Sequence, residues 1–366
     1  MSKSRVSVFP LTLGLLVVVG LTMGSAAAST KYSVEDLGIT GYQFGGIWDI
    51  NEAGQVVGTW HEIVGGHHDV LHGFVWENGT RTYLDTLGGG HSDPRGINDL
   101  GQIVGTSTNA AGWWRACIWE AGSAYDLSPA GNQGYSGNGI NNSGDAVGYA
   151  IAYYDDPRQW QDGTMIDLGT LERPYGVANA INDEGVIVGS SFTTATSGIS
   201  HACVWNDTGL LDLGTFGGSY SYAYGVNESG QVVGRAMNSS GINRPFLWEG
   251  AGLVDLGVLG GSDGEAYDIN ERGQIVGYAD VMYGYPRACL WEDGLKINLN
   301  NVLINGDGWM LTTARGINEA GQIVGMGSLN GATHGFLLTP TPAPAAILLG
   351  IVGIGLVAAT RRIRRK

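Results

Sequence analysis

Ile269-Asn270-Glu271-Arg272-Gly273-Gln274-Ile275-Val276-Gly277 is a nine-residue phrase whose pattern the chain repeats seven times. The pattern is an aliphatic residue, Asn, two variable residues, Gly, two more residues, then Val-Gly. Its copies begin at Ile50-Asn51, Ile97-Asn98, Ile140-Asn141, Ile181-Asn182, Val226-Asn227, Ile269-Asn270 and Ile317-Asn318. The steps from Asn to Asn are 47, 43, 41, 45, 43 and 48 residues. A period of this size is the signature of an array of supersecondary units. The chemistry is that of a β-hairpin. Asn opens a turn by bonding its side chain to the backbone ahead of it. The Gly three residues later supplies the positive φ of a type I turn with a G1 bulge. The flanking runs are rich in β-branched residues.

Working outward, each unit carries two further landmarks. Trp76, Trp119, Trp160, Trp205, Trp248 and Trp291 follow their Asn by 19 to 25 residues. A segment of strand character leads into most of them, such as Arg115-Ala116-Cys117 or Arg244-Pro245-Phe246. Asp-Leu-Gly then recurs, as at 167–169, 212–214 and 255–257. One unit thus holds four strands in about 44 residues, the size of a propeller blade. The first strand ends at Ile-Asn, the second is the Val-Gly run, the third ends at Trp and the fourth at Asp-Leu-Gly. The seventh unit stops without its fourth strand, and the piece it lacks stands at the other end, Tyr32-Ser33-Val34-Glu35-Asp36-Leu37-Gly38. A ring would pair the two and remove both sticky edges. The expected fold is therefore all-β, a seven-bladed β-propeller of four-stranded blades over 29–339, closed by the N-terminal strand. A β-solenoid or β-prism-like array is the alternative.

The triplets His72-Gly73-Phe74, His201-Ala202-Cys203 and His334-Gly335-Phe336, with the Ile-Asn hairpin and Asp-Leu-Gly, resemble the extracellular HAF-repeat family over residues 32–339. That resemblance implies an exported repeat protein of undefined activity and supplies no catalytic residues.

Both ends of the chain read as addresses. Residues 1–28 have Lys3 and Arg5, an apolar run from Leu11 to Leu21, and Ala26-Ala27-Ala28, the plan of a cleaved signal peptide. The alternative is an uncleaved anchor. Residues 340–344 form a Pro-rich spacer. Residues 345–366 hold an apolar run, Ala345 to Ala359, and the basic tail Arg361-Arg362-Ile363-Arg364-Arg365-Lys366. The run is at the short limit for a membrane-spanning helix, with its basic end cytoplasmic. Spacer, helix and tail resemble the PEP-CTERM sorting signal, with Ala343 between Pro342 and Pro344 where that signal carries Glu. The resemblance implies an exosortase-type enzyme as processing partner.

Gly accounts for 62 of 366 residues with no period of three, and only 14% of residues are charged. Short strands and tight turns suit that profile. Seven of the 19 bases lie in the two end segments, and all 34 acids lie between them, which leaves the body near −22. Such a body repels nucleic acid.

Candidate chemistry is sparse. Cys117, Cys203 and Cys289 occupy one equivalent position in alternate units, too far apart for disulfides, and read as buried thiols in a Phe slot. Five of the seven His fall in the first unit. His61, His67, His68 and Asp69 lie in its longest Asn-to-Trp interval, read as a protruding loop, and offer nitrogen and oxygen ligands to Zn²⁺ or a similar ion. The bland reading is a solvated loop. The Asp of Asp-Leu-Gly reads as a strand-end cap, because one acid per unit does not make a calcium site. The Gly-rich pieces match no nucleotide loop, no Gly-x-Ser-x-Gly elbow occurs, and no cofactor is expected. Trp113, Trp114, Tyr153, Tyr154, Tyr283 and Tyr285 lie between second and third strands, where exposed rings on one face would stack on sugars. Packing between units is the bland reading.

Two functions compete. One is a non-enzymatic binding or structural module tethered at the cell envelope, for extracellular polysaccharide or a surface protein. The other is an envelope glycan-active enzyme, a lyase or hydrolase. Carboxylates with His or Tyr converging at a channel mouth would favour the enzyme, and aromatic rings on one face would favour binding.

Overall fold

The computed structural model describes residues 30–39, 45–64, 68–151, 155–193 and 199–341. The proposed signal peptide and the apolar C-terminal segment lie outside the described residues. Among the described residues no helix is long and apolar enough to cross a membrane. Over the described residues the fold is all-β apart from one short 3-10 turn, Leu299–Val302.

The first repeat gives β2 (Gly46–Ile50), β3 (Val56–Val64), β4 (His68–Glu77) and β5 (Thr80–Tyr83), hydrogen-bonded in that order, while β1 (Lys31–Asp36) belongs elsewhere. Four-stranded meanders also form over 88–126, 134–167 and 264–298. Those over 176–214 and 217–255 are joined by a single parallel bridge, Ser200 to Tyr220. The last group is Trp309–Ile317, Ile323–Leu329, Ala332–Thr341 and then β1. Each first strand packs on the first strand of the next group, and Trp309–Ile317 packs back on β2. The first strands are therefore innermost and surround a channel.

Closure by the N-terminal strand takes place as the sequence implies. β1 runs antiparallel to Ala332–Thr341, with Val34 opposite Leu338 and Asp36 opposite Phe336. Tyr32 and Leu338 are buried in one cluster, and His334 Nδ1 bonds the Asp36 carboxylate at 3.0 Å across 298 residues of chain. Pairing continues through Tyr32 opposite Pro340 and Lys31 opposite Thr341. The expected end of the body at 339 is thus two residues short, and the Pro spacer begins inside the sheet. Past Leu338 this strand has a neighbour on one side only, where proline is tolerated.

The repeated phrase explains itself at the turn. In the first copy Gly54 N–H donates to Asn51 O at 3.0 Å, Asn51 N–H to Gln55 O at 3.1 Å, and Gly54 has φ 79°. The Gly of Val-Gly has a different reason. Every first strand bulges opposite it, so that a Cβ at Gly148, Gly189 or Gly277 would overlap the carbonyl of Ser136, Val177 or Glu265. The landmark Asp acts as the expected cap. Asp212 Oδ1 accepts from Gly214 N–H at 2.8 Å, and the Asp255 and Asp167 carboxylates do the same for their glycines. Strand three adds a basic side chain to this Asp, as in His201–Asp212 at 2.9 Å and Arg244–Asp255 at 2.9 Å. The three cysteines are buried and free.

Candidate functional site

At one end of the channel the seven Asn side chains form a closed circuit. Asn51 Nδ2 donates to Asn98 O at 3.0 Å, Asn98 to Asn141 O at 2.9 Å, Asn141 to Asn182 O at 3.1 Å, and Asn182 to Asn227 O at 2.9 Å. Asn227 donates to Asn270 O at 3.2 Å, Asn270 to Asn318 O at 3.1 Å, and Asn318 returns to Asn51 O at 3.1 Å. All seven are 2% to 4% exposed. A second circuit lies outside it. The side chains of Asp99, Asn142, Asp183, Glu228, Glu271, Glu319 and Glu52 each accept the main-chain N–H of the equivalent residue one repeat earlier. These six acids and Asn142 are engaged in joining units.

Three residues before each Asn the first strand carries a β-bulge, and the register skips Trp48, Arg95, Asn138, Asn179, Tyr224, Tyr267 and Arg315. A bulge re-aims a side chain. Here it turns one residue per repeat into the channel, where all seven line a cavity of about 500 Å³ together with Ser136, Tyr149, Asp155, Tyr175 and Val177. That is within the range of small-ligand sites. The Arg95 guanidinium lies 4.0 Å over the Trp48 ring, and Arg315 lies 4.0 Å over Tyr267 and 5.8 Å from Trp48. The Tyr224 and Tyr267 rings are 5.4 Å apart. Asn138 and Asn179 donate to the carbonyls of Ala178 and Ala223 in the next unit, at 2.9 and 2.7 Å.

One residue deeper, Asp49 and Asp268 stand where other repeats have Gly or Ala. Asp49 accepts Ile50 N–H at 2.8 Å and, from the next unit, Ile97 N–H at 2.9 Å. Asp268 does the same for Ile269 and Ile317, both at 2.8 Å. Burial, partly offset by these N–H groups, raises Asp49 to about 6, and burial with the Asp49 charge raises Asp268 to about 7. They tie the innermost strands of neighbouring units together.

Beside the channel, Glu265 pairs with Arg235 at 2.6 Å, and Tyr278 Oη donates to Asp263 Oδ1 at 2.7 Å. Asp263, Tyr278 and Asp280 line a second cavity of about 310 Å³. Tyr and carboxylate do therefore converge near the mouth, the arrangement named above as favouring an enzyme. Burial, however, pushes the phenols of Tyr224, Tyr267 and Tyr278 well above the ordinary range. Tyr278 accordingly stands as the donor in its bond to Asp263.

Of the residues singled out from sequence, the described ones fall on the same side as this mouth. The inner strand runs toward the Asn circuit and the second strand runs away from it, so connections between second and third strands lie at the mouth end. Trp113, Tyr283 and Tyr285 are 43%, 87% and 60% exposed there, but in the second and sixth repeats, which are not neighbours. Trp114 is half-buried and tilts against His91 at 5.2 Å, so it is not the exposed ring expected. Tyr153, Tyr154 and His67 lie outside the described residues. The expected protruding loop is instead a hairpin. β3 and β4 stay paired out to Val64 opposite His68, with Ile63 opposite Asp69 and His61 opposite Leu71. The β-branched Ile63, Val64 and Val70 favour that extension. Among the described residues no group of three or more His, Cys, Asp or Glu gathers as a metal site. The nearby His72 instead bonds Glu62 at 2.9 Å and stacks on Trp60. His91 accepts Leu71 N–H at 3.1 Å, and burial with His72 and His61 lowers its pKa.

The bulged residues escaped sequence reading because four different residue types share the seven positions. The available signal was positional, a polar or aromatic residue always three before Asn.

No family model matches the sequence, and no curated protein matches it. Among solved structures, the β-propeller domain of the Trilobed protease from Pyrococcus furiosus, described as having an open velcro topology, matches at TM-score 0.56. Identity is 12%, over 81% of this chain and 96% of that one. The fold is that of a β-propeller. TolB from Acinetobacter baumannii matches at TM-score 0.43 and 11% identity, over 79% of this chain and 80% of that one. At such identities the likeness concerns the propeller fold and carries no activity across.

Proposed function

We propose that this propeller is seven-bladed and acts as a non-enzymatic binding module at the cell envelope, with extracellular polysaccharide as its ligand and the channel mouth as its site. The seven-membered Asn circuit supports the blade count. The observation that carries the binding reading is the convergence of seven bulged side chains, three of them aromatic, two Asn and two Arg, on one cavity. Aromatic faces stack on the apolar faces of sugar rings, while amides and guanidinium groups bond hydroxyls. Trp113, Tyr283 and Tyr285 extend the contact on the rim. Export by the 1–28 signal, anchoring by 345–366 and exosortase-type processing of that tail belong to the same reading, with a surface protein as the alternative partner.

The full chain, purified in detergent, is screened on a glycan array, and the bound glycans are then analysed by mass spectrometry. Retained, unchanged glycans are expected, with Trp48→Ala losing at least tenfold more affinity than Tyr285→Ala. Cleaved glycan would overturn the non-enzymatic reading. The Asp263–Tyr278–Asp280 cavity favours that second reading, a lyase or hydrolase, and Asp263→Asn would then abolish cleavage.

A further inference from the structure

Resting on that binding reading, we infer that the channel mouth selects a sugar bearing an oxyanion, and that Arg315 is the group that receives the charge. The body of the chain is strongly acidic, yet the bulged ring contributes two arginines and no acid. The two arginines differ. Arg95 is neutralised in place, its Nε and Nη2 donating to Asp93 Oδ2 at 3.2 and 2.7 Å. Arg315 has no ion pair among the described residues; its guanidinium rests on the Tyr267 face at 4.0 Å. Stacking fixes the plane of the guanidinium and leaves its N–H edge as a fork that matches a carboxylate or sulfate with two parallel bonds.

The neighbours complete a sugar site around that fork. Asn138 and Asn179 each donate from Nδ2 to the next unit's main chain, and Ser136 Oγ donates to the Asn138 carbonyl at 3.4 Å, which leaves the Asn179 carbonyl as an acceptor for a hydroxyl. Trp48 and Tyr224 supply further aromatic surface in the same cavity. One acid, Asp155, lines this cavity; Asp49 and Asp268 lie below it and direct both of their oxygens to main-chain N–H groups between units. They are committed to those donors and do not compete for Arg315.

The test is calorimetric titration of the full chain in detergent with three probes of equal length: trigalacturonate, galactotriose, and a galactose 6-sulfate trimer. At least one charged trimer is expected to bind about tenfold or more tighter than galactotriose, and the ratio between the two charged probes distinguishes carboxylate from sulfate. Arg315→Gln should erase this preference, the charged trimer losing about tenfold more affinity than galactotriose does, a difference equal to about 1.4 kcal/mol. Arg315→Lys should restore only part of it, because an ammonium lacks the fork. If Arg315→Gln lowers the melting temperature, Arg315→Met, which keeps an apolar stem over Tyr267, replaces it. Equal binding of charged and neutral trimers, or a preference that survives loss of Arg315, overturns the inference and leaves the binding reading standing. Failure of all three trimers to bind removes both.

Discussion

The two ends of the channel are built from the same seven strands and behave in opposite ways. At the Asn end every repeat makes the same bond to its neighbour, and the circuit returns on itself through Asn318 and Asn51. At the mouth end, three residues earlier, the seven bulged positions hold Trp, Arg, Asn, Asn, Tyr, Tyr and Arg. The bulged residue lies within the inner strand and the Asn directly follows that strand's last residue. What separates them is whether the side chain completes a joint between units or enters open space. A position that forms a joint has a geometry that the neighbouring copy must also satisfy, so it repeats. A position that faces a cavity has no such obligation and is free to carry recognition.

The largest effect should come from breaking the joint that closes the ring. Deleting Lys31–Asp36 from the full chain removes the pairing partner of Ala332–Thr341 and uncovers Phe336 and Leu338. Tyr32 and Val34 leave a buried cluster, at roughly 2 kcal/mol each. With the ladder bonds lost as well, destabilisation should exceed about 5 kcal/mol. Size-exclusion chromatography should find dimers or aggregates, since an open strand edge recruits another chain. A monomer with an unchanged melting temperature would mean that the ring does not depend on its seam.

Next in size is a single Asn. Asn98 accepts Gln102 and Leu100 N–H at 2.9 and 3.1 Å, and donates to Gln102 Oε1 and Asn141 O at 2.8 and 2.9 Å. Asn98→Leu strands these buried groups, each of which costs about 1–3 kcal/mol when unpaired. A loss on the order of 4 kcal/mol in urea denaturation is expected. A loss under about 1 kcal/mol would show that the circuit is incidental to stability.

Much of the fold was legible in the sequence for the same reason that these positions are costly. Ile-Asn, the Val-Gly glycine and Asp-Leu-Gly recur because each makes a joint: the circuit, the close approach to a bulged carbonyl, and the capped strand end. The orphan strand at 31–36 could be assigned because the seventh repeat visibly lacked it. The cavity was not legible. Strand alternation assigns faces by counting in twos, and the bulge breaks the count at Trp48 and its equivalents. Attention to exposed aromatics led instead to Trp114, which packs on His91, and to Tyr283, which lies on the rim. His61, His68 and His72 likewise lie close in sequence, but a continued ladder places them along two paired strands.

Asp49 and Asp268 fall between the two ends in position and in expected effect. Their folded pKa values, about 6 and about 7, lie above the ordinary 3.8. The folded state therefore holds protons that the unfolded chain releases between about pH 4 and 7. The stabilisation is fully present below that window and is lost as pH rises through it. A decline on the order of 1–3 kcal/mol is expected, smaller than a full burial figure because both side chains border the channel. The double variant Asp49→Asn with Asp268→Asn should flatten most of the slope, leaving the part due to Glu52, Glu228 and Asp280, which burial also raises. Stability that rises from pH 4 to 7 in the parent chain would contradict the placement of these carboxylates.

The smallest effect on stability should come from the bulged ring itself, and it tests the comparison most directly. Tyr224→Asn installs the residue type that the third and fourth repeats already carry there. In those repeats the amide donates to Ala178 O and Ala223 O, and in the fifth it can reach the equivalent carbonyl of Ala266. The backbone already bulges at this position, so no strand geometry has to change. The ring lost is half-buried and stacks only loosely on Tyr267 at 5.4 Å. Thermal unfolding should shift by less than about 1 kcal/mol, within the range of surface substitutions that leave no buried group unpaired. Glycan affinity should nevertheless fall at least tenfold, because one of the three aromatic faces of the bulged ring is gone. A large stability loss with unchanged binding would invert the assignment, making the mouth end the joint and moving recognition elsewhere on the disc.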